Sequence, residues 1–499
     1  MIDLKRAPSY PKTQRFDSTL SDFEYPPPES PPIQSEHELL LEAEYLYSLG
    51  RFRDCSEVLK VICKEYPENR QAKTELTRTI FRLLEQQRGG YDFKTLYAEV
   101  ATLRPPQLDH ATYIEPVEVR ESPGKDRGLF TNAQVKAGDL LVCEKAFSYS
   151  YSDYSNGTES ALREATIRKL TDNPNLIPLF SSICHGSYEP ILQVDGKPFV
   201  DPQLVERVIT LNSFGGSLTS LASHISAPKT AGHSSGIWIL AASINHSCIP
   251  NCRRSFIGDM QIIRACRDMP PNTELLWPYR NPAAQDHDYD ATQRDLQDYG
   301  FVCACELCGD TKLTGEGVLK RREGLRGELT AAFATGGQRG AFDCGKVDMV
   351  RIERTLAQLE NTYSKSAVEV PKTGLWDPYL ALTRMYGVLG RPQNVVWSTL
   401  KILEMLGFSI YGAAFPVRKG ESMIIVVEKW GLVVDYLVEC WMMLWTAYAV
   451  LGDGERAEMA RWFAVVSYRI VVGEDVTFEE TYGGRGKVCV EQRRLWSSL

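Results

Sequence analysis

The chain has 499 residues, 43% of them hydrophobic and 24% charged, and a formal net charge of -8. This composition is typical of globular proteins, and the length predicts roughly two to four domains. The negative balance disfavours a protein that holds nucleic acid by neutralising phosphates. It is compatible with a local acidic groove that attracts basic peptides.

The cysteines and the apolar segments indicate a compartment. The total of 13 cysteines is odd, only three of them cluster, and the N-terminus has no apolar signal core. This pattern favours a reducing environment over a disulfide framework. The longest apolar stretch, residues 432–450, is interrupted by Asp435 and Glu439, so we expect no membrane span. The prediction is a cytoplasmic and/or nuclear protein.

The first 34 residues are rich in proline and serine. Such a segment cannot bury enough apolar surface to fold, so residues 1–34 are predicted to form a disordered arm. We favour an inert tail over a docking segment.

Residues 35–105 have a helical pattern. Gly50 and Pro67 stand where a turn and a helix end are expected, and Gly89 and Gly90 mark a later break. Small and apolar residues fall near the positions of a tetratricopeptide helix pair: Ala43, Leu46, Phe52, Cys55, Leu59 and Ile62. The segment is therefore predicted to be a tetratricopeptide-like helical array.

The pattern changes to short strands near residue 113. Alternating or apolar runs occur at residues 117–120, 127–130, 140–142, 260–263 and 274–277, with glycine turns between the first three. Residues 150–235 form a mixed, largely helical insert. A polar, glycine-containing linker is expected over 310–345, and a second helical array over 346–499.

The strongest local signal is a cysteine cluster. Cys303, Cys305 and Cys308 place three thiols within six residues, so they predict a tetrahedral metal site whose fourth ligand comes from elsewhere. Cys248 is the natural candidate, and Cys252 is a less favoured competitor. Because four thiolates leave no position for water, the predicted ion is one structural zinc.

Four sequence elements occur in a defined order around this cluster. They are Gly124–Phe130, Asn212-Ser213-Phe214, Asn245–Cys252, and Tyr279 followed by Tyr299–Cys308. In this order they resemble the SET-domain protein lysine methyltransferases. The C-terminal helices resemble those of the SET-and-MYND group, but no second cysteine cluster lies between Cys143 and Cys248, so the MYND zinc module is missing.

The resemblance implies an α+β fold. It places a SET-type multi-sheet β core with an inserted helical segment between the two helical arrays. The SET domain would span residues 112–283, and a zinc-binding segment would follow over 284–309. The zinc ligands would be Cys248, Cys303, Cys305 and Cys308.

The resemblance also implies a function, S-adenosylmethionine-dependent methyl transfer to a lysine side chain of a protein substrate. Tyr279 matches the catalytic tyrosine of the family, the alternative being a buried core tyrosine. The implied cofactor-binding residues are Lys125, Arg127, Asn212, Asn245, His246, Tyr299 and Phe301. For Tyr299 and Phe301 the alternative is packing around the zinc loop.

The chain departs from the family pattern at three points. Asp126 stands where the family usually has glycine, Pro278 removes a backbone donor before Tyr279, and Asn272-Thr273-Glu274 replaces a glycine-glutamate run. These changes keep open an alternative, a weak or inactive SET-fold scaffold that binds protein partners through its helical arrays. We expect a monomer, a protein substrate, and no direct contact with nucleic acid or membrane.

Overall fold

A computed structural model describes residues 35–152, 157–225, 233–279, 287–336, 344–416 and 424–483. The chain divides into two compact units, one ending at Ile80 and the other beginning at Phe81. The predicted arm over 1–34 lies outside the described residues. Within the described ranges, no helix is both long and apolar enough to cross a membrane.

The first unit is helical. It contains α1 (Glu36–Ser48), α2 (Phe52–Glu65) and the part of α3 (Arg70–Arg88) up to Ile80. Gly50 makes the turn between the first two helices with a φ of +69°, a conformation that favours glycine. The thiol of Cys55 lies 3.2 Å from the Ala43 carbonyl oxygen, so a small residue permits close helix packing. The predicted helix pair is therefore present, while its kinship with tetratricopeptide repeats stays a prediction.

Helix α4 (Phe93–Thr102) belongs to the second unit, whereas the sequence pattern predicts it as part of the N-terminal array. Its buried residues Leu96 and Val100 pack in one cluster with Met260 and Ile262 of a β-strand. The grouping failed because helical periodicity shows that one face is buried but not which element covers it.

The β core of the second unit is built from short strands. Among the described residues the sheet orders are β1-β4-β12-β11, β5-β9-β8, β2-β3, β6-β7 and β10-β13; the last pair is parallel and the other pairs are antiparallel. The strands are β1 (Tyr113–Ile114), β2 (Val117–Glu121), β3 (Arg127–Thr131), β4 (Leu140–Lys145), β5 (Ser148–Ser152), β6 (Gln193–Val194), β7 (Lys197–Pro198), β8 (Phe214–Ser217), β9 (His233–Ile237), β10 (Asn245–His246), β11 (Cys252–Ile257), β12 (Met260–Ala265) and β13 (Leu276–Trp277).

The insert between β5 and β9 is mostly helical, as its pattern indicated. It holds α5 (Thr158–Asp172), α6 (Ile177–Ser181), α7 (Pro202–Asn212) and α8 (Ser220–Ile225). Short 3-10 turns lie at Pro174–Leu176, Ala241–Ser243, Gln297–Tyr299 and Cys344–Lys346. Several small sheets combined with many helices confirm the predicted α+β class.

The described residues of the C-terminal part are mostly helical, with one β-hairpin. Strands β14 (Ser409–Tyr411) and β15 (Val426–Lys429) pair within it, and this hairpin was not predicted. The helices are α9 (Tyr289–Leu296), α10 (Glu306–Leu313), α11 (Glu316–Ala334), α12 (Met349–Glu360), α13 (Trp376–Val388), α14 (Pro392–Met405), α15 (Leu437–Val450), α16 (Gly454–Val472) and α17 (Phe478–Tyr482).

The predicted linker over 310–345 is wrong for most of its length, since α11 runs through it. Leu325, Leu329 and Ala332 are spaced at helical intervals and are buried in the C-terminal core. The abundance of charge and glycine in this segment hid that apolar stripe, which was sufficient to order the helix by packing.

Candidate active site and cysteine cluster

Two sequence elements meet where β10 pairs in parallel with β13. Asn245 lies opposite Leu276 and His246 opposite Trp277, so His246 comes close to Tyr279 just beyond the second strand. Asn251 stabilises this strand pair. Its side-chain Nδ2 donates to the Glu274 carbonyl at 2.7 Å, and its Oδ1 accepts from the Leu276 N–H at 2.8 Å. Asn251 was part of the motif, but the sequence did not show this role.

Strand β3 lies close to the β10–β13 pair. The Asn245 side-chain Nδ2 donates to the Arg127 carbonyl at 2.8 Å and to Glu274 Oε1 at 2.7 Å. A Cβ atom on Gly128 would lie only 2.7 Å from Glu274 Oε1 and 3.2 Å from Asn245 Nδ2. A side chain at this position would have to displace the hydrogen-bonded Glu274 carboxylate, so the space available, and not its φ, favours glycine here.

Glu274 links the turn between β2 and β3 to the segment that contains Asn245. Its carboxylate accepts from Asn245, from Ser122 Oγ at 2.8 Å and from Lys125 Nζ at 3.0 Å. Burial favours the protonated form, but the hydrogen bonds from Asn245, Lys125 and Ser122 outweigh it and hold the pKa of Glu274 below its usual value. Lys125, predicted to bind the cofactor, thus already has an anionic partner within the protein.

Arg127 retains a free donor. Its Nη1 donates to Ser182 Oγ at 3.2 Å, while its buried Nη2 has no hydrogen-bond partner within the described part of the chain. A bound carboxylate group would satisfy this donor. The neighbouring Asp126 has a φ of +66°, and aspartate tolerates this region better than most residues, so the turn forms without glycine.

The predicted aromatic residues lie together. The ring centroids of Tyr279 and Tyr299 are 4.7 Å apart, and Phe301 lies 6.2 Å from Tyr279 and 5.8 Å from His246. The Tyr279 hydroxyl donates to the Ile244 carbonyl at 3.3 Å. Burial raises the pKa of Tyr279 well above its ordinary value, so the phenol is neutral at physiological pH.

Asn212 lies at the end of α7, and its side chain serves the protein itself. Nδ2 donates to the Cys184 carbonyl at 2.7 Å and to the Val208 carbonyl at 2.9 Å. It therefore holds the loop that carries Ser182, the partner of Arg127. Direct cofactor contact by Asn212 stays a prediction.

Four cysteines form one cluster. The sulfurs of Cys248, Cys303, Cys305 and Cys308 all lie within 4.8 Å of one another. The Cys248 sulfur is 3.9 Å from that of Cys303 and 3.6 Å from that of Cys308. Tetrahedral zinc with bonds of about 2.3 Å requires sulfurs about 3.8 Å apart, so the residues fit the ion. Cys252 instead donates to the Leu276 carbonyl at 3.6 Å.

Hydrogen bonds within the cluster shift the pKa values of its thiols in opposite directions. Hydrogen bonding from Cys248 lowers the pKa of Cys303 and of Cys305 below that of an ordinary thiol. The same interaction with Cys303 raises the pKa of Cys248. Thiolate character at Cys303 and Cys305 is what a soft cation needs in its ligands.

Three further side chains surround the sulfurs. The ring nitrogens of His246 and His287 lie 3.4 Å from the Cys248 sulfur and 3.3 Å from the Cys308 sulfur, respectively. Gln293 accepts from the Cys303 N–H at 2.9 Å and donates to its carbonyl at 3.1 Å. No sequence pattern identified His287 or Gln293, because neither belongs to a motif.

Residues 126–280 match the SET domain family. A protein of Gibberella zeae named "Methyltransferase" is 36% identical over 90% of this chain and 65% of its own length. "Protein-lysine N-trimethyltransferase SMYD5" of Danio rerio is 30% identical over 16% of this chain and 21% of its own length.

A third relative, "Histone-lysine N-methyltransferase ASHR2" of Arabidopsis thaliana, is 31% identical over 26% of this chain and 32% of its own length. The chain thus spans less than two thirds of each of these relatives. The segment that matches the SET domain family contains β3, the insert and the paired strands β10 and β13.

Proposed function

We propose that this protein transfers a methyl group from S-adenosylmethionine to a lysine side chain of a protein substrate. The observation that carries the proposal is the parallel pairing of β10 with β13, which brings Asn245, His246 and the Tyr279 ring together. Two of the relatives are named as lysine methyltransferases, and a SET domain is consistent with that chemistry.

The residues fit the cofactor at one end and the amine at the other. S-adenosylmethionine would supply an activated methyl group on a sulfonium. Arg127 would hold the methionine carboxylate with its free Nη2, and the segment at Asn245 and His246 would contact the rest of the cofactor, with Phe301 beside it. Lys125 would contribute less, because Glu274 already binds its ammonium.

The aromatic residues would prepare the substrate. A free lysine amine has a pKa of about 10.4 and is mostly protonated at neutral pH. The rings of Tyr279 and Tyr299 would shield a bound amine from water, and desolvation favours the neutral nucleophile. Holding the amine in line with the methyl group would supply much of the remaining acceleration.

We further propose that the four cysteines bind one structural zinc. A closed four-sulfur shell has no place for a reactive water, so the ion would hold the segment after Tyr279 against the Asn245 segment. The protein would belong with the SET-and-MYND group without its MYND module and act as a monomer in the cytoplasm or nucleus. Its helical arrays would bind protein partners.

The direct test incubates the purified full-length chain with labelled S-adenosylmethionine, core histones and a denatured cell-lysate protein mixture. Label should enter lysine residues, and Tyr279→Phe should reduce the rate by about 100-fold. Tyr411→Phe, at an exposed tyrosine far along the chain, should retain the wild-type rate. Absence of label, or an unaffected Tyr279→Phe variant, would contradict the proposal.

An inactive scaffold is the second candidate. The ion pair of Lys125 with Glu274 favours it, because it occupies one of the two cations expected to meet the cofactor carboxylate. Calorimetric titration with S-adenosylmethionine separates the two, since a scaffold would show no binding heat.

A further inference from the structure

Arg254 is a cationic side chain that contacts aromatic rings near the proposed site. On β11 side chains alternate between faces, so Arg254 shares a face with Cys252 and Phe256, whose side chains pack in the SET core. The adjacent Arg253 points the other way and donates to the Val433 carbonyl at 3.0 Å and to Asp435.

The Arg254 guanidinium lies against two rings that also contact each other. Its Cζ lies 5.2 Å from the ring centroid of Phe214 and 5.2 Å from that of Trp277. Trp277 is two residues before Tyr279, and Phe214 follows the Asn212 motif. Both rings pack in the same hydrophobic cluster as Tyr279, so Arg254 lies near the proposed amine site.

Among the residues that the structure describes, no carboxylate pairs with Arg254. Arg253 adds a like charge from the opposite face of the strand, and Cys252 on the same face and Tyr299 are the other titratable groups that interact with Arg254. Burial, and then the charge of Arg253, lower the pKa of Arg254 to about 10, so it stays cationic at neutral pH. Arg254 is half-buried, so it loses part of its hydration without gaining an anionic partner, and contact with two rings offsets only part of that cost.

We propose that Arg254 supplies a fixed positive charge that disfavours the ammonium form of the substrate lysine and so favours its reactive neutral amine. The inference rests on the proposed methyl transfer to lysine. A like charge in a low-dielectric site destabilises a second cation, and Arg254 remains charged over the whole pH range in which the enzyme would work. Its role is electrostatic: it acts on the protonation of the amine without bonding to it.

The test is the pH dependence of kcat between pH 6 and 9, with the histone or lysate protein mixture that the wild type methylates. Because kcat reports ionisations in the substrate complex, its acidic limb reflects the bound amine. Arg254→Met should shift the acidic limb to higher pH by about one unit. Near neutral pH its kcat should therefore be about tenfold lower than that of the wild type, and at pH 9 the two values of kcat should be nearly equal. Arg254→Lys should retain the wild-type limb.

Arg253→Met is the matched control, because it removes an equal charge from the opposite face of the same strand and should leave the limb in place. Loss of rate by Arg254→Met in equal proportion at every pH would indicate a packing role and overturn the inference, as would an unmoved limb. A wild-type protein that transfers no methyl group would instead overturn the proposed function, and this inference with it. The melting temperature of each variant shows whether it is folded.

Discussion

The imidazole of His246 accepts a hydrogen bond at Nδ1 from the backbone N–H of Tyr279, at 3.0 Å. Its other nitrogen, Nε2, lies 3.4 Å from the Cys248 sulfur. Since Nδ1 accepts, the neutral ring carries its proton on Nε2 and donates it to the sulfur. One side chain thus connects the cysteine cluster to the tyrosine proposed to line the transfer site.

Cys248→Ser should therefore affect metal and cofactor together. We expect loss of bound zinc and at least about tenfold weaker binding of S-adenosylmethionine, because the hard serine oxygen is a poor ligand and the segment at Asn245 loses its anchor. Metal analysis and calorimetry on the same sample measure both. Cys63→Ser, outside the cluster, should change neither. Full zinc occupancy in Cys248→Ser would contradict the assignment.

Arg127 and Lys125 should differ as cofactor ligands. Arg127→Met removes a buried free donor and should weaken cofactor binding by about tenfold, whereas Lys125→Met should weaken it by about twofold or less, since Glu274 already binds that ammonium. Calorimetric dissociation constants give the comparison. Equal losses in the two variants would show that Lys125 leaves Glu274 when the cofactor binds.

Glu274 should stabilise the fold in a pH-dependent manner. Its pKa is lowered in the folded state, so its contribution is fully present above the unfolded value of about 4.3 and is lost as the pH falls through the folded value. Glu274→Gln should cost about 2 kcal/mol of unfolding free energy at pH 7 and flatten the loss of stability below pH 5. Denaturant unfolding at several pH values measures this.

The control for Glu274 is Glu328→Gln, at an exposed position on α11, which should leave both the stability and its pH dependence unchanged. If the unfolding free energy of Glu274→Gln falls with decreasing pH as steeply as that of the wild type, this carboxylate does not contribute to the loss of stability in acid.

Gly128→Ala should destabilise the protein by about 1 to 3 kcal/mol, because the added methyl meets the Glu274 carboxylate oxygen at 2.7 Å. Gly324→Ala is the matched control, because the same methyl enters open space on α11 and should stabilise the helix by up to about 1 kcal/mol. Urea unfolding of both variants provides the measurement. Equal stability of Gly128→Ala and wild type would mean that β3 can move away from Glu274.

Local patterns in the sequence were sufficient for much of the fold. The turn at Gly50, the end of α3 before Gly89 and the strands near residues 117–130 follow from residue spacing and backbone freedom over a few positions. The linker prediction failed because charge and glycine content outweighed the buried stripe containing Leu325 and Leu329. Burial by a distant element, not composition, decided that helix.

By itself, the sequence determined the kinds of chemistry: three thiols spaced for a soft ion, and the motif from Asn245 to Cys252. Only the tertiary structure decided which groups meet. It placed Cys248 rather than Cys252 in the cluster. It also placed Lys125 in contact with Glu274, which is 149 residues away in the chain, and Arg254 in contact with Phe214 and Trp277. The physical reason is that residue spacing encodes local geometry, whereas contacts between distant segments depend on how the sheets pack and cross.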